Sequence, residues 1–115
     1  MYNNDYIALG VINTENHTLY IRSHRMEGTV IEPMKSYPYE ACLEMLGARI
    51  HRRDQEYFMN SSGVGVLLKA MNGRRQHSFT IHNNSDEAER YSYYWFDKRR
   101  KLILLVVESM VKELD

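Results

Sequence analysis

The sequence has little of several features that commit a protein to a particular class. It contains one cysteine, Cys42, so no intramolecular disulfide can form and a reducing, cytoplasmic compartment is expected. The longest apolar run, residues 102–107, is far too short to span a membrane. The first residues lack the basic start and the apolar stretch of a secretion signal. These absences predict a soluble protein that is neither secreted nor embedded in a membrane.

The chain also lacks a net charge. Its 15 Lys and Arg residues balance 15 Asp and Glu residues, and the pI is about 7.0. A length of 115 residues suits one domain, and an apolar content of 43% is typical of a globular protein. We therefore expect a single domain that spans residues 1–115, on which any surface of one charge sign is local.

Recognisable catalytic and metal-binding patterns are absent as well. The five histidines are scattered, and neither a Cys-x-x-Cys nor a His-x-x-x-His pattern occurs. Cys42 lies on the apolar stripe of a predicted helix, where a thiol usually serves as a small hydrophobic side chain. The Gly63-Val64-Gly65 segment lacks the third glycine of a dinucleotide loop and the Gly-Lys-Ser/Thr ending of a phosphate-binding loop. We expect no enzyme activity, no metal site and no cofactor.

The first part of the chain predicts three strands. Residues 6–12 and 18–24 have the composition of strands, and Asn13-Thr14-Glu15-Asn16 between them is a turn signal. A short third strand is expected at residues 28–31. These segments would form the beginning of an antiparallel sheet.

A helix is expected next, with Ser36 as its N-cap and Pro38 in its first turn. The residues that share its apolar face are Pro38, Ala41, Cys42, Met45 and Leu46. The helix either ends at Gly47 or continues to about residue 57, because apolar residues at helical spacing extend that far. In both cases residues 60–63 are expected to form a loop.

A tight hairpin is expected after that loop. Residues 64–71 and 74–82 flank Asn72-Gly73, a pair that is favoured where both turn residues need a positive φ. A two-residue turn would place Val66 opposite Phe79 on the buried face of the sheet.

The last part of the chain allows two interpretations. The aromatic residues whose alternation predicts a strand are Tyr91, Tyr93 and Trp95. Asp97 then has the character of an N-cap for an amphipathic helix that extends to Leu114. The alternative is a second hairpin that pairs residues 91–96 with residues 102–107. Because the helical periodicity is longer, the expected fold is α+β, with an antiparallel sheet of about five strands and two helices packed on one face.

Short basic clusters are the most informative feature that the chain does have. The candidate nucleic-acid-binding residues are Arg52, Arg53, Lys69, Arg74, Arg75, Lys98, Arg99, Arg100 and Lys101. Phosphate contacts from such side chains, with Tyr or Trp stacking nearby, commonly hold nucleic acid. Charge runs are also often simply solvated, and that interpretation stays open.

Aromatic residues give the chain a second candidate surface. Nine tyrosines and one tryptophan exceed what a small core needs, and both residue types are enriched at protein–protein hot spots. The candidate partner-binding residues are Tyr91, Tyr93, Tyr94 and Trp95, of which at least one is expected to pack in the core. Because residues 102–107 are apolar on nearly all sides, we also expect a homodimer.

Several short segments follow one another in an order that resembles a known family. They are His17-Thr18-Leu19-Tyr20, Pro33-Met34-Lys35, residues 42–48, Arg52-Arg53, Ser78-Phe79-Thr80 and Trp95. In this order they resemble bacterial competence transcription factors of the ComK type, whose Phe-Pro pair and second cysteine this chain lacks. The resemblance implies a regulator that acts on DNA.

The charge clusters and the resemblance together predict a small, non-enzymatic, cytoplasmic regulator of transcription. Its expected partner is DNA, bound through the basic clusters. The alternative is a protein-binding inhibitor or adaptor module that uses the exposed tyrosines, the tryptophan and the C-terminal helix.

Overall fold

A computed structural model describes residues 6–111 of the chain. Within that range six strands and three α-helices are formed, and a short 3-10 turn joins the first two helices at Arg52–Asp54. The bounds are β1 Tyr6–Asn13, β2 Thr18–His24, β3 Lys35–Pro38, α1 Tyr39–Gly47, α2 Gln55–Ser62, α3 Val64–Met71, β4 Gln76–His82, β5 Ala88–Asp97 and β6 Leu102–Ser109.

The strands form one sheet in the order β3-β2-β1-β6-β5-β4, and every neighbouring pair is antiparallel. The chain therefore moves outward from β1 to β3, crosses the sheet through the three helices, and returns inward from β4 to β6. The predicted class, α+β with an antiparallel sheet, is confirmed. The sheet has one strand more than expected, and there are three helices instead of two.

The helices bury apolar side chains against one face of the sheet. Burial alternates along β1, so that every second residue packs in the core. Phe58 of α2 and Tyr91 of β5 are among the largest fully buried side chains, and Phe58 contacts both Tyr91 and Phe79 of β4. This group fixes α2 over the β4–β5 half of the sheet.

The opposite face of the sheet is also apolar in its centre. Leu9 of β1 lies beside Val106 of β6, and Val11 lies beside Leu104. Three of these four side chains are half-buried, and Val106 is 8% exposed. We call these four residues the open face; the self-association expected from the apolar run at residues 102–107, to which Leu104 and Val106 belong, stays a prediction.

The hairpin predicted around Asn72-Gly73 is wrong in its first strand, which is helix α3. Asn72 has φ −65° and ψ 117°, Gly73 has φ 73°, and the Arg74 N–H donates to the Met71 carbonyl at 3.1 Å. This is a type II turn, which needs a positive φ only at its second central residue. Val66 therefore does not face the sheet but is 45% exposed on α3.

The predicted C-terminal helix is also wrong, and the alternative hairpin with β5 is what forms. Strand β6 lies between β1 and β5 in the centre of the sheet, so both of its faces are apolar. A continuous apolar run of this kind fits a helical period as well as a buried strand. Asp97 ends β5 and accepts a hydrogen bond from the Arg100 N–H in the turn. Leu114 lies outside the described residues.

Between β2 and α2 the predicted boundaries shift. Residues 28–31 are not a strand, and β3 forms later, so that α1 begins at Tyr39 instead of following Ser36. Helix α1 ends at Gly47, and α2 occupies most of the loop predicted at residues 60–63. Among residues 6–111, no helix has the length and apolar character needed to cross a membrane.

Candidate nucleic-acid interface

Two of the basic clusters come together at one end of the sheet. Gln76 at the start of β4 pairs with Tyr94 near the end of β5, so the turn before β4 lies beside the turn after β5. The C-terminal end of α3 lies at the same place, because a tight turn joins α3 to β4. The side chains gathered there, called the Trp95 surface below, are Lys69, Arg74, Arg75, Trp95, Lys98 and Lys101.

Two shallow pockets, of about 470 and 390 Å³, meet at Trp95. The first is lined by Gly73, Arg74, Arg75, Tyr94, Trp95 and Lys98. The second is lined by Leu68, Lys69, Asn72, Trp95, Lys98 and Lys101. Trp95 and Lys98 belong to both pockets, and none of the carboxylates of residues 6–111 lines either of them. Each pocket therefore combines an aromatic wall with positive charge.

The five cations of the Trp95 surface are exposed, and none of them forms an ion pair with another residue of the range 6–111. Exposed cations that are not neutralised by ion pairs raise the local potential even on a neutral protein. The surface can thus attract anions, although the whole chain carries no net charge.

Trp95 itself is held in a fixed orientation. Its indole Nε1–H donates to the backbone carbonyl of Met71, the last residue of α3, at 3.2 Å. The residue is half-buried and pairs with Ile103 across the strands. A bulge follows at Phe96, whose side chain is 60% exposed. Bulges commonly re-aim side chains near binding sites.

Arg52 and Arg53 do not belong to this surface. Their turn is attached to the opposite end of β4, where the His51 N–H donates to the His82 carbonyl at 2.7 Å. Strand β4 has seven residues, so the two ends are about 20 Å apart. Arg53 also forms an ion pair with Asp86. The basic clusters therefore do not all lie on one surface. The sequence alone could not decide this point.

Arg99 and Arg100 face a different side of the β5–β6 turn. They line a surface pocket of about 980 Å³ together with Asn13, Glu15, Asn16, Asp97 and Leu102. Arg100 Nε lies 3.8 Å from Asp97 Oδ2. Because two carboxylates line this pocket, it has much less positive character than the Trp95 surface.

The four candidate partner-binding aromatics separate in the structure. Tyr91 and Tyr93 are 0% and 1% exposed, and burial raises the pKa of both phenols. Their side chains belong to the core, so a partner cannot contact them. Tyr94 and Trp95 are half-buried and line the first pocket.

In the described part of the chain, Cys42 lies in the core and the histidines form no metal-binding cluster. Cys42 is fully buried, and burial raises the pKa of its thiol to about 11. A reactive cysteine needs the opposite shift. No group of three or more His, Cys, Asp or Glu side chains within residues 6–111 could hold a metal ion.

Sequence reasoning missed the link between Asp54 and His82. Asp54 Oδ2 accepts hydrogen bonds from the His82 backbone N–H at 2.8 Å and from the His82 ring at 2.9 Å. These bonds join the turn between α1 and α2 to the end of β4. The hydrogen bond from the His82 side chain is the main cause that lowers the pKa of Asp54. The two residues are 28 positions apart, so no local pattern could have indicated the pair.

Replacing Asp54 by asparagine should make folding stability less sensitive to acid. Because the pKa of this carboxyl is lowered on folding, its contribution is complete above the unfolded value, about 4. It is lost as the pH falls through the lower folded value. Urea unfolding of both proteins between neutral pH and strongly acidic pH measures the difference. Asp86→Asn, at an exposed ion pair, is the control; equal acid sensitivity in wild type and Asp54→Asn would contradict the expectation.

The residues between the cations of the Trp95 surface were also missed. Leu68, Asn72 and Gly73 complete the two pockets, but the hairpin prediction placed them along a strand and a turn of another type. A helical assignment for residues 64–71 would have brought Lys69 and Asn72 to the same helix end. The apolar residues at positions 64, 67 and 71, which are buried in α3, were the available signal.

Comparison with known proteins gives no match for this chain. No protein-family model fits it, and neither a curated protein nor a solved structure is significantly similar to it. The resemblance to competence transcription factors of the ComK type stays a prediction.

Proposed function

We propose that this protein is a small, non-enzymatic, cytoplasmic regulator of transcription that binds DNA with the Trp95 surface. The observation that carries the proposal is the convergence on one half-buried tryptophan of five cations that form no ion pair within residues 6–111, with no carboxylate among the described residues that line the pockets. Arginines at such a site can bind phosphate oxygens through two parallel hydrogen bonds, whereas lysines act as point charges.

The phosphate backbone is the part of DNA that this surface suits best. Each cation that neutralises a phosphate releases counterions, so affinity depends steeply on salt. If all five cations made such contacts, the logarithm of the binding constant would fall with the logarithm of the salt concentration, with a slope of about −4.5 on duplex DNA and about −3.5 on a single strand. A neutral protein with a basic patch of this size is suited to contact a short stretch of DNA. It is less suited to an interface around which the DNA wraps.

Replacing Arg74 and Arg75 together by alanine should weaken DNA binding to a similar extent on all sequences. The salt slope should decrease by about two units, one for each lost phosphate contact. Fluorescence anisotropy with labelled DNA of mixed sequence, offered as duplex and as single strand at several salt concentrations, measures both quantities. Folding should change little, because exposed charges contribute little to stability.

The matched control is Arg52 and Arg53, a second arginine pair about 20 Å from the first along β4. Their replacement by alanine should leave the affinity and the salt slope close to those of the wild type. If the wild type binds neither form of DNA at low salt, the proposal is wrong. If replacing either arginine pair by alanine weakens DNA binding to the same extent, the binding is non-specific electrostatic attraction rather than contact at the Trp95 surface.

A second candidate function, protein binding, is favoured by the open face. Leu9, Val11 and Leu104 are only half-buried there, although they lie in the middle of a sheet. Sheets with such a face commonly pack against another sheet or helix. This function would give no salt-dependent binding to DNA, so the same titration separates the two candidates.

A further inference from the structure

The position of Trp95 restricts the form of nucleic acid that can use this surface. Trp95 lies where two shallow pockets meet, and basic side chains line both of them. Its Nε1–H is engaged with the Met71 carbonyl, so the polar edge of the ring is not available to a ligand. What the half-buried ring offers to the pockets is aromatic surface, and a nucleobase is the part of a nucleic acid that stacks on such a surface.

We infer that the Trp95 surface takes single-stranded nucleic acid, with an unpaired base stacked on the indole of Trp95 and the neighbouring phosphates on Arg74, Arg75 and Lys98. The inference rests on the proposed function and specifies its ligand.

A duplex does not fit this arrangement. Its base faces are covered by neighbouring bases, so only phosphates, sugars and base edges are accessible. Trp95 belongs to a strand of the sheet, whereas Lys98 and Lys101 belong to the turn that follows it. A duplex held by these lysines has no free base face to place on Trp95, whereas an unpaired base can turn outward and stack on the ring.

The dimensions of the pockets agree with a strand of separate nucleotides. At about 470 and 390 Å³, each lies within the range of small-ligand pockets, which begins near 300 Å³. Because Lys98 and Trp95 line both, consecutive nucleotides can occupy the two pockets with their linking phosphate at Lys98. The remaining cations are then available for the outer phosphates, with Arg74 and Arg75 on one side and Lys69 and Lys101 on the other.

Trp95 is the only tryptophan in the chain, so its fluorescence reports on the site without any substitution. The experiment titrates the wild-type protein with oligothymidine, oligouridine, a duplex of equal length, and an abasic DNA strand with the same number of phosphates. Tryptophan fluorescence and the anisotropy of a label on each nucleic acid are both recorded. We expect at least tenfold tighter binding of the single strands than of the duplex or the abasic strand, with quenching of Trp95.

Each outcome decides the inference. Equal or tighter binding of the duplex, or of the abasic strand, overturns it but leaves the proposed function intact. Binding of oligothymidine that does not change the Trp95 fluorescence also overturns it. Tighter binding of oligouridine than of oligothymidine supports the inference and moves the partner from DNA to RNA. If no nucleic acid binds, the inference and the proposed function both fail.

A variant supplies an independent measurement. Trp95→Ala should weaken binding of oligothymidine by about 5- to 150-fold, the usual effect of removing one stacking aromatic. The abasic strand should lose much less affinity, because it has no base to stack. Since Trp95 also supports α3, circular dichroism must show a folded variant; if it is unfolded, the wild-type quenching experiment alone decides. Equal losses for both strands would mean that Trp95 only positions the cations.

Discussion

Replacing Arg49 by alanine should lower the free energy of unfolding by about 3–5 kcal/mol. Arg49 donates two hydrogen bonds to the Glu89 carboxylate, at 3.2 and 2.9 Å, and Glu89 is only 2% exposed. Asn83 donates a third hydrogen bond to the same carboxylate at 3.0 Å. Without Arg49 a buried negative charge would lose its counter-ion. Chemical denaturation of the wild type and the variant measures the effect.

Two further variants separate the buried charge from other causes. Adding Glu89→Gln to Arg49→Ala should recover part of the loss, because it removes the unpaired charge. Arg53→Ala breaks the pair with Asp86, in which both side chains are at least half exposed, and should cost at most about 1 kcal/mol. The interpretation would be contradicted if Arg49→Ala cost no more than Arg53→Ala. The loss of about 3–5 kcal/mol expected for Arg49→Ala is a large part of the stability of a small domain, which is about 5–15 kcal/mol.

The parts of the fold that could be predicted from the sequence are those whose local pattern is compatible with only one type of secondary structure. β1, β2 and β5 have strand composition or alternation next to clear turn signals, and they form close to where they were expected. Residues 64–71 and 102–107 are apolar runs, for which helix and buried strand cannot be separated by period alone. In both segments the position in the fold decides between helix and strand. Strand β6 is hydrogen-bonded to a strand on each side, whereas α3 lies outside the sheet.

The Trp95 surface could be predicted only in part for a similar reason. Lys69, Arg74, Arg75, Lys98 and Lys101 were all identified from the charge pattern. The sequence did not indicate that Arg99 and Arg100 face away from them, although they lie in the same turn. Which side of a turn a residue faces depends on backbone angles such as the φ of 56° at Lys101, and these are set by the strands on either side.

Replacing Phe58 by alanine should lower the free energy of unfolding by about 3–5 kcal/mol. Phe58 is fully buried in α2, and its ring centre lies 5.2 Å from that of Tyr91 and 6.3 Å from that of Phe79. The loss combines removal of apolar surface from the core with the cavity left between α2 and the sheet, which the surrounding aromatics cannot easily fill.

Tyr57 offers a matched control for this prediction, because it is the adjacent aromatic on the same helix and also contacts Phe79, with ring centres 5.8 Å apart. Its side chain is 52% exposed, so Tyr57→Ala should cost no more than about 1.5 kcal/mol, the upper value for one aromatic pair. Thermal or urea unfolding of both variants gives the comparison. A similar loss at both positions would mean that α2 does not bury Phe58 between itself and the sheet. A large loss confined to Phe58 agrees with packing of α2 on the β4–β5 half of the sheet, where Phe79 and Tyr91 lie side by side.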